Sequence, residues 1–262
     1  MISIDNVKKV FNRGTVNENW AVKGVSLDIK QGSFVTVIGG NGSGKSTLLN
    51  LVAGYLKPDE GRILIDDEDV SNVNDYKRAS YIGIVFQDPL SGTAKSLSIE
   101  ENLAIAMKRG KKRMFGMGVK NRDRDFYREQ LRTLDLGLED RLKDKAGLLS
   151  GGQRQALTLL MATLVKPKIL LLDEHTAALD PKTADKILKL TIKLVNENNL
   201  TAMMVTHNMK QALNLGDRTV MMQLGKKVLD VDGEERSKLT VTDLLELFSR
   251  ELGDEAYDAG ML

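Results

Sequence analysis

Apolar and polar residues alternate at Ile2, Ile4 and Val7 and again at Val25, Leu27 and Ile29, on either side of a polar stretch rich in Asn and Gly at 12–19. This spacing predicts two antiparallel strands, followed by a short β-rich run at 34–38. The period then changes. Leu48, Leu49 and Val52 share one face of a helix over 46–53. Residues 57–61 (Lys-Pro-Asp-Glu-Gly) read as a turn, 62–65 as a strand, and 81–86 as another β-rich run that ends before Pro89. Strand signals vanish over 88–164, where helical patterns such as 126–134 take their place. The fully apolar run Ile169-Leu170-Leu171-Leu172 predicts a buried parallel strand. Further strands fall at 203–206 and, as a hairpin around Gly225, at 220–224 and 227–231. Thr240, with Asp243 in the capping-box position, opens an amphipathic helix to about 251, and the remaining residues are expected to fray. The chain therefore predicts an α/β fold in one domain over 1–250. Segments 1–87 and 165–235 form the core with its N-terminal antiparallel part, 88–164 form a helical insertion, and 236–262 form a C-terminal helix and tail.

Composition narrows the function without choosing it. With 262 residues and a net charge of +2, the chain can bury a substantial core, and it lacks the strongly basic surface of a nucleic-acid binder. It has no cysteine, which excludes disulfides and thiolate metal sites. No signal peptide and no spanning apolar stretch is evident, so the chain is expected to be soluble or held at a membrane through a partner. One local exception to the neutral balance is Lys108, Arg109, Lys111, Lys112 and Arg113. This cluster reads either as a solvated helix end or as a patch facing anionic lipid or an acidic partner.

The chemistry centres on residues 39–47, Gly39-Gly40-Asn41-Gly42-Ser43-Gly44-Lys45-Ser46-Thr47, which fit the phosphate-binding pattern G-x-x-x-x-G-K-[ST] between a strand and a helix. The glycines let successive backbone N–H groups converge on an anion, and the helix N-terminus and Lys45 add positive charge. Ser46 is placed for Mg²⁺ and Thr47 for the α-phosphate. A second helix opens at Ser150-Gly151-Gly152-Gln153, where the serine is a natural N-cap, so the chain carries two anion-seeking helix N-termini. Asp173 and Glu174 follow the apolar strand at the sheet end where open α/β folds bind ligands. Asp173 can hold Mg²⁺ through water, and Glu174 can deprotonate an attacking water. His207 ends the next predicted strand at the same sheet end. Phe11 and Trp20 are both candidates for stacking on an adenine.

With these pieces in order, the sequence resembles the nucleotide-binding domain of ABC transporters over almost its whole length. The matching residues are 39–46 as Walker A, Gln87 as the Q-loop, Leu149 to Gln153 as the signature motif and 169–173 as Walker B. Glu174 matches the catalytic glutamate, Ala178-Leu179-Asp180 the D-loop and His207 the switch histidine. The resemblance implies a P-loop NTPase (RecA-like) core with an antiparallel β subdomain and an inserted α-helical subdomain. It implies ATP and Mg²⁺ as cofactors, with Ser46, Gln87 and Asp173 toward the metal and Lys45, Gln87, Glu174 and His207 toward the reacting phosphate. Phe11 is favoured over Trp20 as the adenine-stacking residue.

The implied assembly is a head-to-tail homodimer, in which Ser150, Gly151, Gly152, Gln153 and Asp180 of one copy face ATP held by the other. That dimer would sit on the cytoplasmic face of the membrane against permease subunits, with an extracytoplasmic solute-binding protein beyond them and no nucleic acid. Departures from the family pattern are His175 for proline, Ala177 for serine and Asp67 for a turn glycine. The run 173–180 resembles importer ATPases that work with binding proteins for tryptophan and related aromatic amino acids. An exporter subunit shares every motif, and a soluble ABC ATPase acting on nucleic acid or ribosomes is the alternative from another class.

Overall fold

The N-terminal alternation becomes a hairpin. In the computed structural model, which describes residues 1–111 and 118–252, β1 (Ile2–Phe11) pairs antiparallel with β2 (Asn19–Ile29), Ile2 opposite Ile29 and Phe11 opposite Asn19. Both strands outrun the apolar alternation. At Asn6 the chain takes a left-handed φ of 46°, and the register shifts between Ile4 and Val7, so β1 bends at a bulge instead of stopping. Next come β3 (Phe34–Ile38), α1 (Lys45–Ala53), β4 (Glu60–Ile65) and β5 (Glu68–Asp69). β4 lies on the other side of β1, giving an antiparallel sheet in the order β2-β1-β4-β5.

The chain continues through α2 (Asp75–Arg78), β6 (Ile82–Val85), α3 (Ile99–Ala106), α4 (Asn121–Arg132) and α5 (Gly151–Leu164). After these come β7 (Ile169–Asp173), α6 (Pro181–Glu197), β8 (Ala202–Val205) and α7 (Met209–Asn214). The last elements are β9 (Arg218–Gln223), β10 (Lys226–Asp232), α8 (Gly233–Lys238) and α9 (Val241–Leu252). Contacts divide the molecule into two units. One is Met1–Asn72 with the described part of Met203–Leu262, and the other is Val73–Ala202.

In the first unit β3 lies parallel to β9, with β10 antiparallel beyond it and β8 on the other flank. All five residues of β3 are buried, as a strand covered on both faces requires. The polar one, Thr36, satisfies its hydroxyl with the Thr219 hydroxyl and the carbonyls of Ala212 and Arg218. Leu244 of α9 is fully buried in a cluster with Ile38, Met209, Ala212 and Met221. Arg236 of α8 reaches the end of α7. Its Nη2 donates to the carbonyls of Ala212, Leu213 and Leu215 and its Nε to the Thr219 hydroxyl, capping orphan carbonyls of that helix.

In the second unit β6 and β7 pair in parallel, and α5 buries most of its circumference. α6 is amphipathic, with Ile187, Leu190, Leu194 and Val195 inward. It starts where Asp180 accepts the Thr183 N–H and Pro181 takes the first helical position. Ser98 and Glu101 form a capping box on α3, and Glu100, nearly buried, takes a two-pronged bond from Arg124 at 2.7 and 3.0 Å that ties α3 to α4.

Arg109 departs from the basic cluster read from the sequence. Its guanidinium turns inward to donate to the Ala162 carbonyl at 2.8 Å, and burial lowers its pKa. Lys112 and Arg113 of that cluster, and the tail from 253 onward, lie outside the described residues.

Leu244→Ala is expected to lower unfolding stability by about 2–4 kcal/mol in urea titration, the range for a buried leucine. A loss below about 1 kcal/mol would show that α9 does not seal this core.

Candidate active site

The phosphate-binding loop is built by close approach. Gly39, at φ 150°, leaves no room for a side chain, because a Cβ there would press into the Met222 carbonyl oxygen. Gly44, at φ 99°, is the N-cap of α1, and its Cβ would press into the Ala21 carbonyl oxygen. A glycine cap brings no side-chain oxygen of its own to the first-turn N–H groups. The turn between β9 and β10 braces the loop, as the Gly225 N–H donates to the Ser43 carbonyl and the Gly225 carbonyl accepts from the Lys23 N–H.

Two side chains mark the loop as an anion cradle. Lys45 is buried, and its ammonium lies 2.8 and 2.9 Å from the carbonyls of Gly39 and Gly40, across the loop mouth. The Ser43 hydroxyl is buried with no hydrogen-bond partner, a polar atom that a phosphate oxygen would satisfy. Asn41, Gly42 and Ser46 are exposed beside it, Gly40 is buried and Thr47 is half-buried. This unit also carries Phe11 and His207. The Lys9 ammonium stands 5.9 Å from the Phe11 ring centre, whereas the Trp20 indole N–H is bonded to Glu18 at 2.8 Å. His207 is exposed in the turn before α7. That turn is knit by Thr206, whose hydroxyl accepts from the Asn208 N–H, and by Asn208, which caps α7 through the Gln211 N–H.

The second unit gathers Gln87, the residues 150–153, Asp173, Glu174 and Asp180. Ser150 caps α5. Its hydroxyl accepts from the Gln153 N–H at 3.3 Å, and the Gln153 side-chain oxygen accepts from the Ser150 N–H at 3.2 Å. The serine proton stays available to donate, so the exposed cap adds a hydroxyl to the positive end of a 14-residue helix. Arg154, buried behind it, holds the carbonyls of Ala146, Gly147 and Leu149 and fixes the approach to the cap. Asp180 uses its carboxylate as the α6 cap, and bonds from the Thr183 side chain and backbone hold its pKa below the ordinary aspartate value.

Asp173 ends β7, and Glu174 follows with a left-handed φ of 42°. A glutamate adopts that backbone only where its surroundings fix it. His175 does part of this. It is fully buried, its Nε2 is 3.0 Å from the Thr191 hydroxyl, and that hydroxyl also lies 2.8 Å from the Ile187 carbonyl. A hydroxyl has one proton, which the carbonyl requires, so the imidazole must donate from Nε2. Burial pushes the His175 pKa down to about 4, which keeps the ring neutral and makes it an anchor for the turn.

Sequence reasoning passed over Gln155, which is fully buried and donates from Nε2 to the carbonyls of Phe86, at 2.9 Å, and His175, at 2.7 Å. Its partners lie 69 and 20 residues away, so no local pattern announces them.

A family model described as ABC transporter matches residues 22–177, from β2 to the turn after β7. A tyrosine transport ATP-binding protein of Clostridioides difficile is 44% identical over 95% of this chain and 98% of its own length. The chain belongs to the ABC transporter family. It is accordingly an ATP-binding cassette, an ATPase of the kind that drives a transporter. A methionine import ATP-binding protein, MetN 1 of Bacillus thuringiensis subsp. konkukian, is 35% identical over 92% of the cassette and 70% of that protein. Among solved structures, the dimeric post-hydrolysis state of the cassette MJ0796 bound to ADP and Pi superposes with a TM-score of 0.74 at 34% identity. It covers 88% of this chain and 98% of the other. Cassettes of this family form dimers and associate with transmembrane permeases. Among the described residues no helix is long and apolar enough to cross a membrane.

Thr191→Val removes the acceptor for a buried imidazole N–H and is expected to cost about 1–3 kcal/mol of unfolding stability. An unchanged midpoint and slope in denaturant titration would remove the His175 anchor from the account.

Proposed function

We propose that this cassette is the motor of an importer for an amino acid of the aromatic class, working as a head-to-tail pair of identical chains against a permease at the cytoplasmic face of the membrane. The observation that carries the ATP-driven pairing is the presence of two helix N-termini with different caps. The glycine cap of α1 offers backbone N–H groups, and the serine cap of α5 offers a hydroxyl. In the pair, Ser150, Gly151, Gly152 and Gln153 of one copy close on a nucleotide held by residues 39–47 of the other, with Asp180 at the same boundary. The dimer of a similar cassette bound to ADP and Pi supports this arrangement. The aromatic solute is supported by the tyrosine transport relative, and import by the methionine import relative.

In this reading Phe11 stacks on the adenine, while Lys45 and the loop N–H groups hold the β- and γ-phosphates. The oxygens of Ser46, Asp173 and Gln87 are a donor set of the hard kind that suits Mg²⁺. The metal, when bound, neutralises charge developing on the phosphate oxygens. Glu174 takes a proton from water as the water oxygen bonds to the γ-phosphorus and the bond to the bridging oxygen breaks, giving ADP and phosphate. His207 steadies the γ-phosphate. Binding closes the pair and hydrolysis opens it, and the motion passes to the permease through the helical unit and the Gln87 segment.

Glu174→Gln is expected to keep ATP binding within about threefold and to lower turnover by about 100-fold or more, a barrier increase of about 3 kcal/mol. Turnover within about threefold of the parent would take the base role away from Glu174. Purified from native membranes with a tag on this chain, the cassette is expected to bring a polytopic permease. Recovery of ribosomes or DNA-processing proteins in its place would overturn the transport reading.

A further inference from the structure

We propose that Gln155 is a positioning residue that fastens the Gln87 segment and the Glu174 turn to the signature helix, so that the three move as one body. The inference rests on the roles proposed above for Gln87, Glu174 and Ser150.

The orientation of the Gln155 amide follows from chemistry. Both neighbours, the Phe86 and His175 carbonyls at 2.9 and 2.7 Å, can only accept hydrogen bonds, so the NH₂ group must face them and each proton goes to one. The Phe86 carbonyl belongs to the peptide unit that begins Gln87. The His175 carbonyl lies one residue past the left-handed Glu174, whose own carbonyl accepts from Ala177 N–H at 2.9 Å. One side chain thus sets the peptide plane leading into Gln87 and the plane between His175 and Thr176, one residue past Glu174.

Packing alone does not call for an amide here. Gln155 Oε1 is buried with no hydrogen-bond partner, so the side chain carries an unsatisfied acceptor in order to supply its two donors. An apolar side chain of similar volume would spare that acceptor but withdraw the bonds to the Phe86 and His175 carbonyls, so hydrogen bonding and not volume selects the amide. The Glu174 turn is therefore held from two helices. The His175 ring is anchored on Thr191 of α6 and the His175 carbonyl on Gln155 of α5. A residue in a disfavoured backbone region persists when it is fixed in this redundant way.

The functional consequence follows from where Gln155 sits. It lies early in α5, the helix whose N-terminus presents Ser150 to the nucleotide of the other copy. A displacement of α5 on engaging that nucleotide carries with it the Gln87 and Glu174 arms, which act on the nucleotide of their own copy. The two ATP sites of a pair are thereby coupled through one buried amide.

The test uses the full chain with Gln155→Leu and Gln155→Met, each of which removes both donors at similar volume. Should the leucine variant fail to fold, the methionine variant, unbranched like the parent, carries the measurement. Hydrogen–deuterium exchange and steady-state Mg·ATP hydrolysis are measured on the same preparations. The expected result is exchange at least tenfold faster in both the 87–92 and 174–178 segments, with kcat at least tenfold lower and the KM for ATP within threefold. A purely structural role would lower the melting temperature without this split. Exchange within twofold of the parent in either segment, or kcat within twofold, overturns the proposal. Absence of hydrolysis in the parent would sink the functional reading above, and the exchange result would still decide whether Gln155 fastens the two segments.

Discussion

The structure depends on one electrostatic constraint, that a polyanion be met by backbone N–H groups at the start of a helix. Backbone can approach a phosphate only where side chains are absent, and here the loop is also squeezed from behind. Gly39 abuts the Met222 carbonyl and Gly44 the Ala21 carbonyl, so β9 and β2 set the shape of the loop as much as its own sequence does. The Gly225 turn completes the brace through Ser43 and Lys23. Much of the first unit can be read as support for that backbone. α7 and α9 close a core against β3 and β9, and Arg236 finishes the helix that follows His207.

The second unit solves a similar problem by another route. Ser150 satisfies one N–H of α5 yet keeps a proton to donate, and Arg154 fixes the chain leading to it by binding three carbonyls. At the end of β7 a different device appears. Glu174 is held in a left-handed conformation that a glutamate would not choose in isolation, and the surrounding bonds converge on the residue that follows it. The His175 ring supplies a second anchor through the Thr191 hydroxyl. Its neutrality follows from complete burial.

Elements that rest on local chemistry were legible in the sequence. The run at 169–172 is a buried strand because it is apolar on both faces, and Ser150 and Thr240 cap their helices with the partners their spacing names. The phosphate loop, the signature and the family were legible for the same reason, since each is a contiguous pattern. α6 is not among the expected elements although Asp180-Pro181 and the spacing of Ile187, Leu190 and Leu194 carry its signal, because the resemblance assigns Asp180 to the nucleotide. β1 runs past its apolar alternation because a bulge at Asn6 breaks the pattern without ending the strand. Gln155, Arg236 and the inward turn of Arg109 were not legible at all. Each is defined by carbonyls that the fold brings from elsewhere, and backbone acceptors leave no trace in residue identity.

The central claim is that ATP joins the α1 N-terminus of one copy to the α5 N-terminus of another, and the absence of cysteine makes it directly measurable. Asn41→Cys and Ser150→Cys, made in separate chains and mixed, should form a disulfide between the two variants under mild oxidation when ATP is present, and far less without it. A yield independent of ATP, or cross-linking confined to a single chain that carries both cysteines at high dilution, would contradict the account.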